Sequence, residues 1–171
     1  MNEMERFMEI WDREAAKTAK LLAALPEDQY DFRPDPDGRS LGELAWHLAE
    51  PEGHGPFAIE RGGFSRDARP SGLERPRVVR ELAPAFERVH AEALERVKKL
   101  TIEDLDRSIP FFNGQPISVR NVLWDFVLLH GIHHRGQLSM MARQAGGRPV
   151  SLYGPTRETA PLKPRVIEQS K

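Results

Sequence analysis

The chain of 171 residues contains no cysteine. That absence excludes a disulfide scaffold and a thiolate nucleophile, and it leaves nitrogen and oxygen as the ligands for any metal. Long apolar runs are missing as well: no stretch approaches the roughly 20 residues that a membrane span needs. The N-terminal "MNEMERFMEIWDRE" is charged from its start and lacks the apolar core of a signal peptide. The expectation is a soluble, cytoplasmic protein without a membrane partner. There is no excess of charge of either sign, since 25 Lys+Arg face 26 Asp+Glu for a net charge of −1. A balance of that kind gives no general reason to expect nucleic acid as a partner. Internal repeats, low-complexity segments and a convincing set of strands are absent too. The length suits one domain with a core of its own.

What is present is helical periodicity. Met4, Phe7, Met8, Trp11, Ala15, Thr18, Leu22 and Leu25 recur at three- and four-residue spacing, which predicts an amphipathic helix over 3–25. "PEDQYDFRPDPDGRS" then reads as a loop. Ser40 and Glu43 form a capping box for a second helix, which Pro51 is expected to end or kink. "GGFSRDARPSG" is a second connection, and a third helix spans about 77–100 with Pro84 near its start. The segment 101–118 reads as a connection with a short helical turn and a turn at Asn113-Gly114. Ser118 is the expected N-cap of a fourth helix that ends at Gly146-Gly147. The proline-rich remainder is expected to be irregular. Four long amphipathic helices with loop connections imply an all-α four-helix bundle, a fold that builds metal and cofactor sites between facing helices.

The fourth helix carries "FVLLHGIHHRGQLSMMARQAG", with His130, His133 and His134 in five residues. At about 100° per residue, with His130 at zero, Leu123, Val127 and Met141 fall within about 60° of it, His134 near +40° and His133 near −60°. The three rings therefore fall on the apolar stripe. A single histidine there is commonly a core residue with one hydrogen bond. Three without partners would each cost on the order of 1–3 kcal/mol, and they cannot all be charged together. A metal resolves both problems by taking neutral nitrogens. His130 and His134, at i and i+4, have the spacing at which one helix offers two imidazoles to one ion; His130 with His133 is the alternative pair. The glutamate of the metallopeptidase motif is missing between them. A third nitrogen must come from another helix, and His47 is the candidate. Glu43, Glu50 and His54 fall on about the same side of its helix, as groups to orient a ligand or join the site.

"LAWHLAE", "LLHGIHHRGQL" and "RPVSLYGP" together resemble the DinB/YfiT-like family of helical metalloenzymes, over about residues 5–155. The resemblance implies an up-up-down-down four-helix bundle over 1–160, followed by a flexible tail at 161–171. It implies one divalent metal, zinc or nickel, held by His47, His130 and His134, with His133 as an extra histidine outside the ligand set. It also implies a homodimer. Glu50, His54 and His133 are then the candidates for proton handling. Arg135, near +140°, points away from the face and is expected to serve a neighbouring helix, the tail or a subunit interface. Gln137 is expected to orient a ligand or a bound water, and Tyr153 to be a packed tail aromatic.

Three neutral imidazoles leave a divalent ion with at least one open position, suited to activating water or holding a thiolate. Relatives of the family include thiol-dependent S-transferases that use low-molecular-weight bacterial thiols. The expectation is therefore a thiol-dependent transferase whose partners are a small thiol and an electrophile. A metal-dependent hydrolase and a non-catalytic, stress-associated metal-binding protein are the alternatives.

Overall fold

The computed structural model describes residues 1–160, so the expected tail at 161–171 lies outside the described residues. The four-helix bundle is present. Helix α1 spans Glu3–Leu22, α2 Leu41–His47, α3 Ala49–Arg61 and α4 Leu82–Val97. The fourth rod begins with one turn of α5, Val119–Asn121. It widens into a π-helical stretch over Val122–Leu129 and resumes as α6, His130–Gln144.

Local chemistry sets these boundaries. The Glu5 N–H donates to Asn2 Oδ1 while the Asn2 N–H donates to Glu5 Oε2, each at 2.9 Å, closing a capping box on α1. The capping box expected at Ser40 and Glu43 starts α2 in the same way. Pro51 does not end the second helix. The helix breaks earlier, at Leu48, and restarts, so Pro51 falls in the first turn of α3, where a missing N–H costs nothing. His47 thereby becomes the last residue of α2.

Helix directions follow from their contacts. Glu52 meets His90 and Glu60 meets Arg96 and Lys99, so α3 and α4 run parallel. Glu3 meets Trp124 and Glu14 meets Arg135, so α1 and the fourth rod run parallel. His47 meets His134 while Gly55 abuts Val127, so α3 and that rod are antiparallel. The order along the chain is up-down-down-up. The up-up-down-down order that the resemblance implied is corrected in this respect, because the connection 62–78 returns along the bundle before α4 begins.

A short hairpin was not expected. Strand β1, Ser108–Pro110, pairs antiparallel with β2, Pro116–Ser118, placing Ile109 opposite Ile117. Three-residue strands are too short to display alternation in a sequence, and prolines at the tip end of each hide them further. The expected turn is there: Gly114 has φ of 79°, and the Phe111 N–H donates to the Gln115 carbonyl at 2.8 Å. Phe111 and Phe112 at its tip pack edge-on or tilted against Phe64, both at 4.8 Å, and Phe64 edge-on against Phe126 at 5.2 Å.

Two polar systems cross the apolar core. Trp11 Nε1 donates to Glu52 Oε1 at 2.9 Å, and His90 Nδ1 lies 2.7 Å from Glu52 Oε2, joining α1, α3 and α4. Burial alone would lower the His90 pKa, but the hydrogen bond and charge of Glu52, with Asp12 adding, raise it. Arg135, 2% exposed, bonds the Glu14 carboxylate and carbonyl, the Thr18 hydroxyl and the Tyr153 hydroxyl. The expectation that Arg135 serves a neighbouring helix and the tail is met, but it does so from inside the core.

Removing one partner of such a buried pair costs about 3–5 kcal/mol. Arg135→Met should therefore lower stability by about that amount in urea titration, and Glu14→Gln on top of it should recover part of the loss. Burial raises the Glu14 pKa, but bonds from Lys17, Tyr153 and Arg135 outweigh it and hold the carboxyl at about 2. Its contribution is present above the ordinary carboxyl pKa and is lost as pH falls from about 4.5 towards 2. The double variant should lack that acid-limb loss.

Candidate metal centre

The break at Leu48 and the π-helical stretch bring three rings together. His47 ends α2, and His130 and His134 occupy the first turns of α6. One ring nitrogen from each lies within 4.8 Å of the other two. The His47 ring centroid is 5.2 Å from that of His130 and 4.6 Å from that of His134.

Each ring is fixed from behind. His47 Nδ1 lies 2.5 Å from Glu50 Oε2. His134 Nδ1 lies 2.6 Å from Gln137 Oε1. His130 Nδ1 lies 3.3 Å from the Phe126 carbonyl. The π-helical stretch prepares that last acceptor: the His130 amide bonds Asp125 rather than Phe126, its ordinary α-helical partner. Carboxylate and carbonyl oxygens only accept, so the Nδ1 atoms carry the protons and the Nε2 lone pairs are left free. His130 Nε2 and His134 Nε2 are 2.8 Å apart. Two lone pairs at that separation repel unless a cation or a proton lies between them.

Protonation is disfavoured at both. Burial lowers the His134 pKa to about 4, and the neighbouring histidines add to the effect. Burial likewise lowers that of His130, with the charge of His47 second. A cavity of about 280 Å³ adjoins the rings, lined by His47, Glu50, His54 and His130 with Arg69 and a largely apolar wall. His54, its pKa lowered by burial, faces this cavity, as does Glu50. The Glu50 pKa is lowered by its hydrogen bond to His47.

The remaining expectations divide. Gln137 does orient a ring, as expected, by holding His134 and donating to His133 Nε2 at 3.1 Å. His133 is exposed and does not line the cavity. Glu43 caps α2 and pairs with Arg33 and Arg75, away from the rings. Tyr153 is 66% exposed and stands at the Arg135 network, not at the cavity. Arg69 and Phe112 were not foreseen. Arg69 carries no signal in its sequence context, and Phe112 is legible only through the Asn113-Gly114 turn beside it.

Comparison with known proteins agrees with this architecture. The DinB family model matches residues 1–166. An uncharacterized Bacillus subtilis protein, YrdA, is 26% identical over 156 residues, covering 91% of this chain and 90% of that protein. The crystal structure of a DinB-like protein from Bacillus cereus superposes with a TM-score of 0.71 at 25% identity, covering 87% of this chain and 97% of that one. A second DinB-like structure, YjoA from Bacillus subtilis, shows the same fold with a TM-score of 0.68 at 21% identity, over 85% and 96% of the two chains.

A depressed histidine pKa has a consequence for stability without metal. The folded state holds His134 neutral to about pH 4, whereas the unfolded chain takes up a proton near 6.5. Stability is thus full above about 6.5 and declines as pH falls towards 4. Urea midpoints of the metal-free protein should fall across that window, and His134→Gln should flatten the decline. An unchanged slope in the variant would show that His134 is not held neutral.

Proposed function

The chain belongs to the DinB family, and from that premise we propose a metal-dependent enzyme in which His47, His130 and His134 hold one divalent cation and a small thiol is transferred to an electrophile. The observation that carries this reading is the convergence of three imidazole nitrogens, all within 4.8 Å of one another, beside an open cavity that His47 and His130 line. The donor set fits. Ligands on one zinc ion at about 2.0–2.1 Å would be roughly 3–3.5 Å from one another, and the present nitrogens, with the His130–His134 pair at 2.8 Å and all within 4.8 Å, are compatible with that separation. Zinc and nickel both suit imidazole. When bound, such an ion supplies Lewis acidity that favours the thiolate over the thiol.

The chain's own groups supply the rest. Glu50 is committed to His47 and fixes its ring. Gln137 and the Phe126 carbonyl do the same for His134 and His130. His54, neutral and facing the cavity, is the acceptor for the thiol proton. His133, exposed, linked through Gln137 and packed against His134 at 5.0 Å, tunes that ligand and takes no proton from the substrate. Pro51, Leu73, Phe112 and Phe126 exclude water from one side of the cavity. The reading extends to a cytoplasmic location and a homodimer.

Metal content distinguishes the histidines. Protein purified without a nickel column should carry about one equivalent of metal by elemental analysis. His47→Ala, His130→Ala and His134→Ala should each lose it, while His133→Ala should keep it. Loss in His133→Ala with retention in His130→Ala would overturn the ligand assignment. Chelator should leave the far-ultraviolet circular dichroism helical, because the apolar core is complete without the site. Turnover of an electrophile such as 1-chloro-2,4-dinitrobenzene should require added bacillithiol, mycothiol or glutathione. Metal-dependent hydrolysis of an activated ester with no thiol requirement would instead favour a hydrolase.

A further inference from the structure

The cavity beside the histidines is apolar on one wall and cationic at its rim. Pro51, Leu73, Phe112 and Phe126 form the apolar part. Arg69 lines the cavity while staying exposed, and among the described residues it has no carboxylate or hydrogen-bond partner. Arg33 and Arg75, also on connections, by contrast both hold Glu43, at 2.8 and 3.2 Å. The one carboxylate that lines the cavity, Glu50, is engaged by His47. The Arg69 guanidinium therefore faces a pocket that offers it no counter-charge. Its field is felt at His54, and that of Arg39, also unpaired among the described residues, at Glu50 and His130.

We propose that Arg69 selects the substrate by binding its carboxylate, so that the molecule taken at this centre carries a carboxylate at one end and presents its reacting group to the three histidines at the other. The inference rests on reading those histidines as the reactive centre. A planar guanidinium fork matches the two oxygens of a carboxylate. A volume of about 280 Å³ is at the low end for small-molecule sites, so the spacer between the two groups is compact. The facing Phe112 and Phe126 favour a flat, apolar one.

The test uses 4-(mercaptomethyl)benzoate and its methyl ester, which differ only at the end remote from the sulfur, where the ester lacks the charge and carries one added methyl group. Each is titrated into protein loaded with cobalt(II) and read by the visible absorption of the ion. The acid should bind about tenfold more tightly than the ester, the size of one charge-assisted contact. Arg69→Gln should bring the two to parity while cobalt affinity is unchanged. Arg69→Lys should keep part of the preference, and Arg66→Gln, on the same connection but outside the cavity lining, should keep all of it. Equal binding of acid and ester to the unsubstituted protein, or a preference that survives Arg69→Gln, would overturn the proposal. Failure to take up cobalt would sink the metal reading alone. The same pair is then titrated into the metal-free protein by NMR, where an Arg69-dependent preference supports the carboxylate assignment and its absence overturns it.

Discussion

The rotation of α6 about its own axis is fixed by one buried ion pair, and the centre depends on that rotation. Arg135 is one residue from His134 and two from Gln137. Its guanidinium is held between the Glu14 carboxylate of α1 and the hydroxyls of Thr18 and Tyr153. A buried charge cannot be released into the core without losing those partners, so α6 is locked with Arg135, Leu138 and Ala142 inward. About 100° of rotation separates neighbouring residues, and His134 and His130 are consequently placed at the flank of the buried stripe, facing α2. His133 lands outside. The same pair that stabilises the bundle thus decides which of the three clustered histidines meet His47.

The π-helical stretch is the second constraint on this geometry. It brings Val127 against Gly55, where an added Cβ would approach Val127 Cγ2 to 2.5 Å, so the fourth rod and α3 are in close backbone contact beside the cavity. It also redirects the His130 amide to Asp125, leaving the Phe126 carbonyl facing the ring rather than its own amide. Widened turns inside α-helices recur at functional sites for this reason: they re-aim side chains without ending the helix.

The same stretch explains where the sequence misleads. A wheel drawn at a constant 100° across 123–141 places the stripe centre at Leu123 and His130 and puts Arg135 outside. The π-helical turns advance less per residue, so the phase established before His130 does not carry through α6. Arg135 is buried and His133 exposed as a result. Elsewhere the local signals were legible because they act over three or four residues: the capping box at Ser40, the i, i+4 histidines and the turn at Asn113-Gly114. Pro51 is expected to end or kink the helix, whereas the break falls at Leu48, one residue after the ligand candidate. Arg69 and Phe112 reach the cavity from connections, whose path no periodicity records.

The protein treats its buried and half-buried histidines in two opposite ways, and the difference lies in their carboxylates. His90 is buried against Glu52 with Asp12 nearby, and its pKa is raised, so the ring is favoured as a cation bonded to its partners. His130 and His134 are half-buried with a carbonyl and an amide oxygen as their partners instead, and their pKa values are lowered. A carboxylate beside either ring would have favoured imidazolium and filled the shared space with a proton. Neutral acceptors orient the rings without charging them, so the converging nitrogens keep their lone pairs at neutral pH. Glu50 is the exception: it supplies the centre with one negative charge from behind His47. The pattern of one carboxylate and two neutral oxygens yields a site that repels itself when empty of charge and is relieved by a cation.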